Sequence, residues 1–110
     1  TFCYVDDNLD TTEKILYNDL AINEILNLGS DKEMTILELA QKVIELTKTS
    51  SSIIYLPALK EGDMTRRCPD ISKMKDILNR ELISLEEGIN KTAEFVKKRI
   101  ILNGIPKMVV

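Results

Sequence analysis

The residues able to do chemistry in this chain are few in kind. Its 110 residues include no histidine, so no Ser-His-Asp triad, Cys-His pair or His-ligated zinc site can be assembled from it alone. Carboxylates, lysines, three tyrosines and two cysteines remain. Cys3 and Cys68 stand far apart and match no metal or redox spacing. Two free thiols in a reducing cytosol is the expectation, one disulfide being left open. Asp6 and Asp7 form a neighbouring pair, but acids at a helix start ordinarily serve its cap and dipole, and we read them so. No metal site is expected.

Binding chemistry points instead to the irregular stretch Pro57–Pro69, with two prolines, one glycine and five charges. Arg67 is the first candidate. A guanidinium makes paired hydrogen bonds to phosphate oxygens and stays charged at any working pH. A loop between scaffold elements is where binding residues tend to stand. On residues alone a surface ion pair of Arg67 with Asp63 or Asp70 is the commoner arrangement. Arg66 is the adjacent, less favoured alternative. Asp63 either accepts a sugar or ribose hydroxyl or orients Arg67.

The elements that must position these residues are read from periodicity and caps. Thr1–Val5 is a β-rich run. Leu9, Thr12, Leu16 and Leu20 recur at helical spacing and predict a helix over about 7–19. Residues 24–28 read as a short strand closed by Gly29-Ser30. Thr35 and Glu38 form a capping box that opens a helix with Ile36, Leu39, Val43 and Ile44 on one face. Ile53–Leu56 reads as a second strand, stopped by Pro57. Strand, helix, strand over 24–56 predicts a right-handed βαβ unit with parallel strands covered on both faces. Asp70 caps a further helix with Ile71, Met74, Ile77 and Leu78 inside. Ser84 and Glu87 form a second capping box before a long helix carrying Leu85, Ile89, Ala93, Val96 and Ile100. Asn103-Gly104 stops it. Asn27 and Gly29 serve the strand end and its turn; Met34, Met64 and Met74 are packing residues. The expected class is therefore α/β, about four helices with two or three short, mainly parallel strands.

Composition agrees with a folded chain, 44% hydrophobic and 30% charged. No apolar run approaches the roughly 18 residues of a membrane helix, and no secretion signal is visible. The net charge of −3 is uneven: residues 1–49 hold 10 acids and 4 bases, residues 50–110 hold 8 acids and 11 bases. An acidic, aromatic-poor chain argues against nucleic acid as partner. The expected location is the cytoplasm. Thr1 in place of an initiator Met suggests a piece of something longer.

Four segments, in order, carry a family resemblance: TFCYVDD, ILNLGSDKEMTILELAQKVIEL, LPALKEGDMTRRCPDISKMKDIL and SLEEGINKTAEFV. They resemble the C-terminal, substrate-binding part of the extended short-chain dehydrogenase/reductases, the NAD-dependent epimerase/dehydratase family. TFCYVDD, GDMTRRCPDISK and SLEEGI are most similar to its UDP-glucuronate decarboxylase branch, with dTDP-glucose 4,6-dehydratases and nucleotide-sugar epimerases as close alternatives. The resemblance implies a parent enzyme, a lyase of nucleotide-sugar metabolism, that oxidises the sugar at C4 with NAD, alters it, and reduces it again. It implies that Arg67 meets the substrate diphosphate and that Thr35, first a helix cap, starts a helix near the nucleotide.

The family's Gly-rich NAD loop and Tyr-x-x-x-Lys pair are expected upstream of residue 1. Tyr4, Tyr17 and Tyr55 are followed four residues later by Asn8, Ala21 and Leu59. No catalytic residue and no NAD binding are therefore expected of these 110 residues by themselves. The family Arg before the F-x-Y-V segment would precede Thr1. Asn79-Arg80 stands where the family has Gly-Trp, which bears on that turn. A missing dinucleotide domain would leave apolar surface bare, so self-association, as a dimer, is expected. The rival class is a non-enzymatic α/β interaction module.

Overall fold

The computed structural model describes residues 1–57 and 66–103. Its elements are α1 (Val5–Leu16), a 3₁₀ turn (Asp19–Ala21), α2 (Ile36–Thr47), α3 (Ser72–Leu78) and α4 (Leu85–Asn103). Among the described residues there is no strand, which overturns the α/β expectation and its βαβ unit. The reason is that a strand exists only through a neighbour. Residues 24–28 are tied to α3 by side chains instead: Asn27 Nδ2 donates to the Asp70 carbonyl at 3.1 Å, and Lys73 reaches Glu24 and the Ile25 carbonyl. Ile54, Tyr55 and Leu56 are 76–79% exposed rather than covered on both faces.

The Thr1–Val5 run is not a strand either. Helix α1 begins two residues before the expected start, with the Asp7 amide on the Tyr4 carbonyl at 3.1 Å, and ends at Leu16 rather than residue 19. Asn18 instead opens the 3₁₀ turn, its Oδ1 accepting from the Leu20 amide at 2.9 Å. Helix α2 follows its local signals closely. Thr35 Oγ1 accepts from the Glu38 amide at 3.1 Å, and Glu38 Oε2 accepts from the Thr35 amide at 2.6 Å. Asp70 Oδ1 accepts from the Ser72 amide at 2.9 Å, organising the start of α3. Ser84 Oγ accepts from the Glu87 amide at 3.2 Å at the start of α4. The expected stop at Gly104, and Met64, lie outside the described residues.

The helices pack in two pairs, α1 on α3 and α2 on α4. The closed interior lies with the first pair: Ile71, Met74 and Leu78 are at most 2% exposed, with Cys3 and Leu82 against them. Asp7 is buried among them. Its Oδ1 accepts from Arg80 at 2.5 Å and its Oδ2 from the Ile83 amide at 2.9 Å, while Asp10 takes the other arm of Arg80. This corrects the helix-dipole reading of Asp7, whose carboxylate is a clamp from α1 to the α3–α4 connection. Asn79 has φ 52° and so supplies the left-handed helix end that glycine would otherwise supply. That turn therefore closes, and Arg80 leaves it towards α1.

Elsewhere the chain is open. Its accessible surface is 9486 Å², where about 6,200 Å² is usual for a folded monomer of 12.5 kDa. Its radius of gyration is 17.0 Å, against about 13 Å for a close-packed chain of this length.

Candidate functional site

Two loops meet beside α3: residues 27–35, which lead into α2, and residues 66–70, which lead into α3. Charge strapping holds them together. Arg66 grips Glu33 with two bonds, Nε to Oε1 at 2.5 Å and a terminal nitrogen to Oε2 at 2.9 Å. Lys75 of α3 reaches Asp31 at 2.5 Å, and the Cys68 thiol lies 3.6 Å from the Asp31 carbonyl. Both carboxyls are held below the usual carboxylate range, Glu33 first by its hydrogen bond from Arg66 and Asp31 first by that from Lys75. The straps are solvent-exposed, so they fix position more than they add stability.

Arg67 follows Arg66 directly in the chain. It borders an open cleft of about 650 Å³ together with Phe2, Cys3, Ser30 and Cys68. Its carbonyl accepts from the Thr1 amino group at 3.3 Å. Cys3 and Cys68 are both free thiols. Partial burial, then the nearby Asp7 carboxylate, raise the Cys3 thiol above its ordinary value, which makes it a poor nucleophile at neutral pH.

The structure thus places the sequence-predicted residues unevenly. Arg66 is brought to the loop before Thr35, but its guanidinium is occupied by Glu33. The Thr35 hydroxyl is committed to Glu38, accepting from its amide and donating to its carboxylate at 2.9 Å. Arg67 borders the cleft, and Thr35 does not line it. Asp63 lies outside the described residues. Glu33 went unrecognised in the sequence because its partner is 33 residues away; the only signal was an acid beside a predicted helix start. Among the described residues, no group of three potential metal ligands lies together, and no helix is long and apolar enough to cross a membrane.

The glycines are four, at 29, 62, 88 and 104, with no G-x-G among them. What the arrangement can do is hold an anion: Arg67 at the mouth of a cleft whose walls are pinned by strapped loops.

Comparison with known proteins agrees with the motifs. The chain is 37% identical over 100 residues to UDP-glucuronic acid decarboxylase 1 of Danio rerio, covering 90% of this chain and 23% of that protein. It is 37% identical over 102 residues to UDP-glucuronic acid decarboxylase 1 of Arabidopsis thaliana, covering 92% and 23%. It is 33% identical over 104 residues to the UDP-N-acetyl-alpha-D-glucosaminuronate decarboxylase of Bacillus cytotoxicus, covering 88% and 32%. The chain therefore spans 23–32% of the length of these relatives. No family model matches it. No solved structure matches it. By its similarity along about nine-tenths of its length, the chain is a relative of a segment of the UDP-glucuronic acid decarboxylases, the branch of the extended short-chain dehydrogenase/reductases that its motifs resemble.

Proposed function

We propose that the chain is the sugar-nucleotide-binding, C-terminal part of an NAD-dependent enzyme that decarboxylates a UDP-linked uronic acid. The observation that carries this reading is the match along 90% of the chain to a relative named as such a decarboxylase. The two kinds of decarboxylase among the relatives differ in the sugar and share UDP and a uronic carboxylate in their names. A site serving both needs a fixed diphosphate clamp before anything else.

In this reading Arg67 is that clamp's contribution from the present residues, donating in parallel to phosphate oxygens across the cleft. Arg66, pinned by Glu33, positions the backbone that carries Arg67. Asp63 accepts a sugar or ribose hydroxyl, and the capped start of α2 at Thr35 lies towards the nucleotide. NAD supplies the redox chemistry of the whole enzyme, and residues outside these 110 hold it. The whole enzyme works in the cytoplasm.

Calorimetric titration of the purified chain tests the reading. UDP-glucuronic acid and UDP should each release heat that Arg67→Ala removes. NAD should show no saturable micromolar binding. Equal heat from UDP-glucuronic acid in the natural chain and in Arg67→Ala would sink the assignment. Preference for dTDP-glucose over UDP-glucuronic acid would move the parent to the dehydratases. A non-enzymatic interaction module, the reading favoured by the exposed apolar groove between α2 and α4, predicts no heat from any nucleotide sugar.

A further inference from the structure

Both thiols of the chain open onto one cleft. Cys3 and Cys68 are its two cysteines, both are free, and both line the cleft that Arg67 borders. They stand 65 residues apart in sequence, and two ties bring them to the same place. The Thr1 amino group donates to the Arg67 carbonyl at 3.3 Å, and Arg67 immediately precedes Cys68. Cys3 itself packs against the interior formed by Ile71, Met74 and Leu78, and Ile71 follows Cys68 by three residues. The segment 1–3 therefore runs beside residues 67–71, with Cys68 between its two points of contact.

The two thiols are held only loosely. Cys3 Sγ lies 3.5 Å from Asn8 Oδ1 and 3.7 Å from the Tyr4 carbonyl, and Cys68 Sγ lies 3.6 Å from the Asp31 carbonyl. A thiol is a weak donor, so these contacts are readily given up. A disulfide needs the two Cα atoms about 5.5–6 Å apart. Residues 1–4 and 66–71 lie outside the helices, so the walls of the cleft can approach one another without unwinding a helical turn.

We propose that Cys3 and Cys68 are a redox-sensitive pair whose disulfide shuts the Arg67 cleft, the oxidant being a small-molecule disulfide such as oxidised glutathione. Cys68 is exposed and Cys3 is partly buried, so Cys68 reacts first. Its thiolate attacks one sulfur of the small disulfide, and one small thiolate leaves. Cys3 then loses its proton to water and attacks Cys68 Sγ, and the second small thiolate leaves as the new S–S bond forms. The protein pair gives up two electrons, and the small disulfide is reduced to two thiols. The raised Cys3 value slows the second step, and its position in the same cleft as Cys68 offsets this. The bond ties the wall at Cys3 to the residue next to Arg67, which closes the mouth through which a diphosphate would reach that guanidinium. The link itself is independent of the nucleotide-sugar reading, whereas its effect on ligand affinity rests on that reading.

The test treats the purified chain with oxidised glutathione and maps its peptides, without reduction, by mass spectrometry. The natural chain should yield one peptide pair joined through Cys3 and Cys68 and should lose both titratable thiols. Cys3→Ser should stop at a mixed disulfide on Cys68, and Cys68→Ser should keep its Cys3 thiol over the same interval. Calorimetry should show the oxidised chain binding UDP-glucuronic acid at least about tenfold more weakly than the reduced one, as when the Arg67 bond is not made, with dithiothreitol restoring the affinity. A natural chain that stops at the mixed disulfide, or that joins two copies instead, overturns the proposal. So does an internal disulfide that leaves the affinity unchanged. If the reduced chain gives no heat with UDP-glucuronic acid, the nucleotide-sugar reading fails by itself. Closure is then read from Arg67 directly, which should react with an arginine-specific dicarbonyl reagent in the reduced chain and be protected in the oxidised one. Equal reaction in both would overturn the closure.

Discussion

Where α1 meets α3, Met74 and Leu78 have no exposed surface and a carboxylate is buried beside them. Where α2 meets α4, Val43 and Val96 keep 36% and 45% of theirs. Helix quality does not explain the contrast, because α2 has the better caps and a longer apolar stripe than α3. The difference lies in the third wall. Cys3 and Leu82, from the segments flanking α1 and α4, close over α3, and the Asp7–Arg80 clamp holds them there. Among the described residues, Phe2, Cys3, Tyr4 and Ile83 line the α2–α4 groove without closing it. Secondary structure is thus set by local signals, whereas burial is set by what the connections carry across.

The largest effect expected of a single substitution follows directly. Leu78→Ala empties a site with no exposure and should cost about 2–5 kcal/mol. Ile36→Ala, on a side chain 72% exposed, should change stability by no more than about 0.5 kcal/mol. Urea unfolding of both variants, with circular dichroism as the signal, measures the pair. Equal losses would mean the two helix pairs are buried alike.

Next in size is the clamp. Asp7 and Asp10 take the two arms of one guanidinium, but Asp7 is buried and Asp10 is half-exposed. Asp7→Ala should cost about 3 kcal/mol, since it strands the Ile83 amide and breaks a pair that is buried on one side. Asp10→Ala should lie in the small range of surface pairs. A double-mutant cycle through Arg80→Ala separates the two couplings, and a larger coupling to Asp10 would contradict the burial argument.

Smaller again, and read as affinity rather than stability, is the division between neighbouring arginines. Arg67→Ala should weaken UDP-glucuronic acid binding by about tenfold or more, with Arg67→Lys recovering part of it. Arg66→Ala should act only through the loop and leave most of the affinity. The reverse order would put Arg66, released from Glu33, in the site.

These contrasts also mark what the sequence can reveal. The bounds of α2 were legible because Thr35 and Glu38 are three residues apart and cap one another. The Asp70 turn and the Ser84 cap were legible for the same reason. The strands at 24–28 and 53–56 were read from residue type, but strand formation is decided by a partner, and none pairs with them among the described residues. Asp7 was misread because a buried clamp and a helix-dipole acid look alike locally. What separates them is Arg80, 73 residues away. Arg67 was legible as a loop cation, while the Arg66–Glu33 strap beside it was not, being a contact between two loops.

The smallest effect expected is on the straps themselves. Glu33 and Asp31 titrate below the usual carboxylate range, because each accepts a charge-assisted hydrogen bond, from Arg66 and Lys75 respectively. For a carboxyl whose folded value is lowered, the associated stability is fully present above its unfolded value. It is lost as pH falls through the folded one. The loops at 27–35 and 66–70 should therefore stay together from neutral pH down through the ordinary carboxylate range, and part only in more acid solution. Both pairs are exposed, so salt should screen them, and the effect on global unfolding should be slight. The measurement that sees it is local: carboxyl-carbon NMR titration of Glu33 in the natural chain and in Arg66→Ala. The natural chain should titrate at lower pH, and the variant should return to the ordinary range while Asp31 stays low. An unchanged Glu33 titration in Arg66→Ala would mean that the strap does not form in solution, and that Glu33 does not hold Arg66 back from a phosphate.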